Sequence, residues 1–256
     1  MHDWKRSGER LVPGHASARV LLDHTSQYQY IVRNLQLSGR RILDVACGVG
    51  LGSRTFAEHQ PACVIGVDIS GEALFYGRRH FAHERVRCCL GDASHLPFPD
   101  GMFDIVISLE TIEHVPQYEH FLDEVFRVMR SDAILVLSTP NRRVTSPGIV
   151  PPNAYHVREF SLAELGALLG PYCSQICWLG QHFIPRLFAN RFAHKVVHML
   201  SRILVALGGP DMEAQVYSLG GGFSVRPITR AKKACFEPRS LIAVCHGVGS
   251  SHCTRS

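Results

Sequence analysis

At 256 residues the chain is long enough for one large hydrophobic core, and 46% hydrophobic with 19% charged residues is ordinary for a globular protein. It holds no uninterrupted apolar run of about 18 residues, and its opening stretch MHDWKRSGERLVPGH lacks the apolar core of a secretory signal, so a soluble, cytoplasmic chain is expected rather than a membrane-spanning or secreted one. The net charge of +5 is local: residues 182–239 carry nine Lys or Arg against three Asp or Glu, which is not a basic stripe beside an active site and argues against a nucleic-acid partner. Nine cysteines, with no C-x-x-C pair and no metal-finger spacing, read as reduced thiols that pack like small hydrophobes.

In chain order, 14-GHASARVLLDHTSQYQYIVRNL-35 reads as one or two helices, so residues 1–37 are expected to form a helical cap ahead of a domain spanning 38–256. Strand-length apolar runs follow at 41-RILDVA-46, 62-ACVIGVDI-69, 86-VRCCLGDA-93, 103-FDIVISLE-110 and 133-AILVLSTPN-141. Between them, 52–60, 70–84 and 116–130 have the length and periodicity of crossover helices, with Ser70 and Pro116 suited to helix starts. Continuous Val/Ile/Leu runs without polar alternation imply strands buried on both faces, the mark of a parallel sheet between helix layers. The helix 160-FSLAELGALLG-170 opens on a capping-box pattern, Ser161 with Glu164, and strands at 173–181 and 240–248 bring the expected total to seven. The fold class expected is α/β, a Rossmann-like three-layer sandwich with a mostly parallel seven-stranded sheet and an antiparallel last strand.

The basic segment 182–239 interrupts the last pair of strands as an insertion or lid. Within it Phe188, Phe192, Val196, Met199, Ile203 and Leu207 share one helical face, while Arg191, Lys195, His198 and Arg202 share another. A covering helix with a solvated basic face is the plainer reading; docking to a membrane surface or an acidic partner is the alternative. The Gly-rich stretch that follows, including 219-LGGGF-223, reads as a loop.

The chemistry begins at 44-DVACGVGLG-52, where glycines let the backbone approach a ligand at a helix N-terminus. The spacing is G-x-G-x-G, not the dinucleotide G-x-G-x-x-G, although Asp68, 20 residues after Gly48, stands where a ribose-binding acid is expected for either ligand. Asp44 at the end of the first strand would repel a pyrophosphate and attract a cation, and Asp92 adds a third strand-end acid. Three such carboxylates suit a ligand with a ribose, an adenine amine and positive charge. A nicotinamide-dependent oxidoreductase would leave Asp44 and the GDA sequence at 91–93 unexplained.

On 42-ILDVACGVGLGS-53, 64-VIGVDIS-70, 91-GDASHLPFPDGMFDIVIS-108 and the following E-x-x-E-H, the sequence resembles the class I S-adenosylmethionine-dependent methyltransferases over roughly 38–181, with a final strand near 240–248. The resemblance implies that S-adenosylmethionine is the cofactor and S-adenosylhomocysteine the product. It implies that Asp44 with the backbone of Ala46, Cys47 and Gly48 holds the methionine moiety; Gly50 is expected to bind the cofactor as well, to shape a tight turn, or both. By the same pattern Asp68 binds the ribose hydroxyls, Ile69 lies beside the adenine, Asp92 and Ala93 read the adenine edge, and Leu109 lies near the sulfonium. The expected activity is methyl transfer to a small-molecule acceptor, foremost O-methylation of a natural product, sugar or quinone-like metabolite in biosynthesis. An N- or C-methyltransferase of the same fold is the alternative within the family, and a cofactor-binding protein without catalysis is the alternative outside it.

The stretch 109-LETIEHV-115 puts Glu110, Glu113 and His114 at i, i+3 and i+4, one face of a helix. It has three readings. His114 or His156 is the base that readies an acceptor near neutral pH; or Glu110, Glu113, His114 and the distant His156 chelate a divalent metal such as Mg²⁺; or the acids only complement a helix N-terminus. E-x-x-E-H resembles the metal motif of ubiquinone-pathway O-methyltransferases and of small-RNA 2′-O-methyltransferases. His24 and Tyr28 could close over the cofactor, though packing of an amphipathic helix is the plainer reading; Arg142, Arg143 or Arg158 could meet an acidic acceptor, though solvated loop arginines are the plainer reading.

Overall fold

Alternate residues of the central strands face opposite sides of one sheet, and each side has its own core. The computed structural model describes residues 11–146, 153–185, 225–228 and 236–248. Within these, eight strands form the sheet: β1 (Arg41–Val45), β2 (Cys63–Asp68), β3 (Val86–Leu90), β4 (Phe103–Leu109), β5 (Met129–Pro140), β6 (Cys173–Pro185), β7 (Arg226–Pro227) and β8 (Phe236–Val248). The helices are α1 (Ala18–Asn34), α2 (Leu51–Ala57), α3 (Gly71–His80), α4 (Tyr118–Val128), the single turn α5 (Arg142–Thr145) and α6 (Leu162–Leu169).

Strand order is β3-β2-β1-β4-β5-β8-β6-β7. The first five strands are mutually parallel, and β8 runs antiparallel to both β5 and β6. On one side Leu43, Val106, Leu135, Leu137, Leu241 and Ala243 pack with Phe121, Leu122 and Val125 of α4 and with Leu165 and Leu169 of α6. On the other, Ile42, Ile105, Ile107, Val136 and Ile242 pack with Ile31 of α1 and Phe56 of α2. Each of these fully buried side chains contributes on the order of 1.5–3 kcal/mol, and the period-2 assignment explains why the runs read as continuously apolar. The α/β expectation is met, and α1 shares a core with β1 rather than standing off as a separate cap.

Local signals behave as their chemistry predicts. The Ser70 hydroxyl accepts the Ala73 N–H at 3.2 Å to start α3. Ser161 and Glu164 form the full capping box of α6. Two expectations need correction. The sheet has eight strands instead of seven, because Arg226–Pro227, inside the segment taken as an insertion, pairs with Leu179 and Gly180. Strands β6 and β8 also run past their expected ends, pairing as far as Pro185 with Phe236. The apolar and basic faces expected between Phe188 and Leu207 and the glycine-rich loop 219–223 lie outside the described residues. Among the described residues no helix is long and apolar enough to cross a membrane.

Candidate functional site

Parallel strands end together, so the turns after β1, β2, β3 and β4 meet at one sheet edge, where open α/β folds bind ligands. A cavity of about 1210 Å³ lies there, lined by Asp44, Asp68 and Asp92 at one end and by Glu110, Glu113, His114 and His156 at the other. Ala46, Cys47, Gly48, Ile69, Ala93 and Leu109 also line it; Gly50 does not, and its part is to shape the turn.

Gly50 takes the left-handed conformation, φ 77°, as the N-cap of α2, which a side chain would strain. Gly77 of α3 has another constraint: a Cβ there would stand 2.2 Å from the Val49 carbonyl oxygen. The missing side chain lets α3 pack directly on the turn and hold its shape. Asp68 pins the turn from the other side. One carboxylate oxygen accepts the Gly48 N–H at 2.8 Å and the other accepts the Ser70 N–H at 2.8 Å, joining β1's turn to the start of α3. The 20-residue interval between Gly48 and Asp68 is therefore a direct contact.

Asp44 is buried and accepts the Ser53 hydroxyl at 2.6 Å. Burial pushes its pKa up to about 7, with the nearby Asp68 charge adding to the rise and the Ser53 bond opposing it. A buried acid held near neutrality beside a glycine turn fits a ligand that brings its own cation, such as the ammonium of an amino acid. Asp92 caps its own loop, accepting the Ser94 N–H at 2.8 Å. That loop is braced by Arg127, which donates to the carbonyls of Leu96 and Phe98 at 3.0 and 2.8 Å and pairs with Glu124 at 2.7 Å. Ile69 leaves 72% of its surface exposed beside the end of β2, an apolar face available to a flat ring.

The Asp44 shift sets a pH dependence. Between its unfolded value near 4 and its folded value of about 7, the ligand-free fold holds one proton more than the unfolded chain, so stability declines as pH rises through that window. A cationic ligand pairs with the ionised form and displaces that proton. Affinity for S-adenosylhomocysteine should therefore rise from about pH 5 to about pH 7 by up to ~10-fold per unit, and level off above. Calorimetric titration across that range checks it; a flat profile would reject the assignment.

At the other end, 109–115 is not the helix its spacing suggested. Glu110 sits in the left-handed region at φ 50°, Ile112–His114 form a 3₁₀ turn, and α4 starts only at Tyr118. Glu110 thus points away from its neighbours: its carboxylate accepts the Ser138 hydroxyl at 2.8 Å and its N–H is held by Ser138 as well. Burial pushes Glu110 above the usual carboxylate range. Glu113, buried and accepting Thr139 Oγ1 at 2.9 Å, is pushed well above it, by burial first and then by the Glu110 charge.

His114 and His156 meet edge to face at 4.8 Å between ring centres. His114 Nδ1 lies 3.1 Å from the Tyr155 carbonyl, which can only accept, so Nδ1 carries the proton and Nε2 is the basic nitrogen, 3.8 Å from Glu113 Oε1. His156 is held at both nitrogens. The Asn153 amide, oriented by accepting the Tyr155 N–H, donates to Nε2 at 2.9 Å, and Nδ1 donates to Glu159 at 2.6 Å. Burial raises Glu159, but bonds from His156, Ser146 and Thr145 outweigh it and hold its pKa below the usual range. The chain Glu159–His156–Asn153–Tyr155 therefore orients the His114 ring. Glu113 adds a backbone link: its carbonyl accepts the Val157 N–H at 2.8 Å.

Glu113, His114 and His156 also bring one donor atom each within 4.8 Å of one another. Glu110 is not in that cluster. His24 and Tyr28 line the cavity, and Tyr28 also packs in the core, edge to face with Phe56. Arg142 and Arg143 are bound to Glu164 and Glu237 instead of reaching into the cavity, and Arg158 lies over the Tyr118 and Phe160 rings. Ser53, Thr139, Ser138, Asn153 and Glu159 were not legible as site residues. Ser138 and Thr139 act through partners 28 and 26 residues away, and Ser53, Asn153 and Glu159 through nearer ones that no periodicity marks.

Residues 43–137 match the family model described as a methyltransferase domain. A protein of Mycolicibacterium smegmatis named "Probable S-adenosylmethionine-dependent methyltransferase/" is 34% identical over 165 residues, covering 64% of this chain and 62% of that protein. A fatty-acid O-methyltransferase of the same species is 31% identical over 121 residues, covering 47% and 44%. The chain thus spans less than two thirds of these relatives' lengths. The crystal structure of a Thermotoga maritima S-adenosylmethionine-dependent methyltransferase, described as a possible histamine N-methyltransferase, superposes with a TM-score of 0.58 at 17% identity, covering 89% of this chain and 92% of that one, a likeness of fold.

Proposed function

We propose that this chain, a member of the class I S-adenosylmethionine-dependent methyltransferase family, catalyses O-methylation of a hydroxyl-bearing small molecule. The observation that carries this reading is Asp44, a buried carboxylate raised to about 7, set against a glycine turn at one end of a cavity whose other end holds an oriented imidazole. When bound, S-adenosylmethionine supplies an electrophilic methyl group and leaves as S-adenosylhomocysteine.

The chain's own residues supply placement and a base. Asp44 pairs with the ligand's ammonium, and the backbone of Ala46, Cys47 and Gly48 lies along its methionine moiety. Asp68 offers its remaining lone pairs to the ribose hydroxyls, Asp92 and Ala93 read the adenine edge, and Ile69 covers the ring. Placement of the acceptor against Leu109 aligns it for in-line displacement, which supplies much of the rate. His114 Nε2 then accepts the hydroxyl proton as the new bond forms. His156 holds Asn153 and Tyr155 in place and so positions His114. An ajmaline N-methyltransferase of Rauvolfia serpentina, 30% identical over 141 residues, and a sterol 24-C-methyltransferase of Gibberella zeae, 29% over 140, match about as well as the fatty-acid O-methyltransferase, so N- or C-methylation is the alternative.

A second reading rests on the cluster of Glu113, His114 and His156. Two imidazoles and one carboxylate fit Mn²⁺, Fe²⁺ or Zn²⁺ better than Mg²⁺. It requires the Asn153 amide to turn away from His156 Nε2. One experiment addresses both: purified protein is incubated with methyl-labelled cofactor and cell extract, and the labelled product is identified, with and without prior EDTA treatment. A methyl ether product with turnover unchanged by the chelator is expected. Absence of cofactor binding by folded protein would sink the main reading; activity lost to EDTA and restored by Mn²⁺ would replace the histidine base with the metal.

A further inference from the structure

We propose that Cys47 and Cys88 form a redox-modification site, in which a peroxide joins the cofactor turn to the edge strand β3 through a disulfide. Two observations place the sulfurs together. In the register of the sheet Gly66 of β2 stands directly beside Cys88 of β3 and Asp44 of β1. Because Gly66 has no side chain, there is a notch above it, and both thiols fill it: a Cβ on Gly66 would lie 2.7 Å from Cys47 Sγ and 3.2 Å from Cys88 Sγ. Both thiols therefore border one space, and each bears on the other's acidity.

They are chemically unequal. Cys88 is exposed on β3, whereas Cys47 is half-buried and lines the cofactor cavity. The neighbouring Cys47 thiol holds the Cys88 thiol below its usual range, and Cys88 is the more exposed of the two, so it is the thiol that meets peroxide first as a thiolate. Its sulfur attacks one peroxide oxygen, the O–O bond breaks and water leaves, giving a sulfenic acid on Cys88. Cys47 sulfur then attacks that sulfur, forms the S–S bond and releases a second water. The two thiols lose two electrons and two protons, and one peroxide becomes two waters.

The consequence falls on the cofactor turn. A disulfide brings the sulfurs to about 2.05 Å, closer than two unbonded sulfurs approach. Cys47 must then move toward β3, while its N–H is tied to the Val67 carbonyl at 3.0 Å and the next residue, Gly48, to Asp68. The turn deforms where the ligand's carboxylate sits, and a bound ligand in turn hinders closure, as linkage requires. Cys173 on β6 and Cys245 on the paired strand β8 provide an internal comparison, since they too bear on each other's acidity but are buried, away from peroxide.

This inference rests on reading the glycine turn as the cofactor site. The test treats the reduced full chain with hydrogen peroxide, blocks the remaining thiols, and maps linked peptides by mass spectrometry while S-adenosylhomocysteine affinity is measured by calorimetry. A Cys47–Cys88 peptide is expected, without a Cys173–Cys245 one, together with an affinity loss of ~10-fold or more that dithiothreitol reverses. Saturating S-adenosylhomocysteine should slow the link. The Cys88→Ser variant should bind as tightly as the reduced parent and keep that affinity in peroxide. No linked peptide, or a Cys88→Ser variant as sensitive as the parent, overturns the proposal. A linked peptide in a chain that binds no S-adenosylhomocysteine when reduced instead overturns the cofactor-site reading.

Discussion

Asp44→Asn is expected to weaken S-adenosylhomocysteine binding by ~100- to 1000-fold, on the order of 3–4 kcal/mol, without destabilising the ligand-free fold. The two halves have one cause. Asparagine keeps the shape of aspartate, and its carbonyl oxygen can still accept the Ser53 hydroxyl that Asp44 accepts at 2.6 Å. What it removes is a charge buried near the neighbouring Asp68 carboxylate, the same environment that pushes Asp44 up to about 7. Above that pH the ionised group costs the ligand-free fold roughly 4 kcal/mol relative to an unperturbed aspartate, and the neutral amide does not. Thermal melts at about pH 8 should show the variant melting at or above the parent. Ligand should raise the parent's midpoint and leave the variant's nearly unmoved. An affinity within about threefold of the parent would reject Asp44 as the ammonium partner.

His114→Ala is expected to lower kcat by ~100- to 10,000-fold on the acceptor identified by labelled transfer, with S-adenosylhomocysteine affinity unchanged. The split follows from place: His114 follows β4, whereas the three strand-end aspartates stand at or just past the ends of β1, β2 and β3 along the same cavity. Because its tautomer is set by the Tyr155 carbonyl, disturbing the supporting chain at Asn153 should lower kcat by a smaller factor and in the same direction. An Asn153→Ala variant therefore separates an imidazole that acts as base from one that only packs. If His114→Ala left kcat intact while raising KM, the ring would be a binding surface and the proton would go elsewhere.

The parallel sheet and the strand-end acids were legible in the sequence for one physical reason. A strand buried on both faces must be apolar at successive positions, so Ile42–Leu43 and Ile105–Ile107 announce themselves, and the residue where each run stops marks the ligand edge. Asp44, Asp68 and Asp92 sit at those stops, so their position follows from local pattern. The acceptor end follows from contacts between remote segments. The spacing of Glu110 and Glu113 implied a shared helical face, but the left-handed backbone of Glu110 sends one carboxylate to Ser138 and leaves the other with Thr139. No periodicity encodes the path from Glu159 through His156, Asn153 and Tyr155 to His114, because its last step spans 41 residues. The same holds for the placement of β8 between β5 and β6, and for the two thiols above Gly66. The sequence by itself determined the layers, the glycine turn and the three acids, since these depend on burial and on neighbours along the chain. Tertiary structure alone decided which histidine is oriented and which acid is set apart, because hydrogen bonds between distant segments fix a ring's tautomer and a carboxylate's direction.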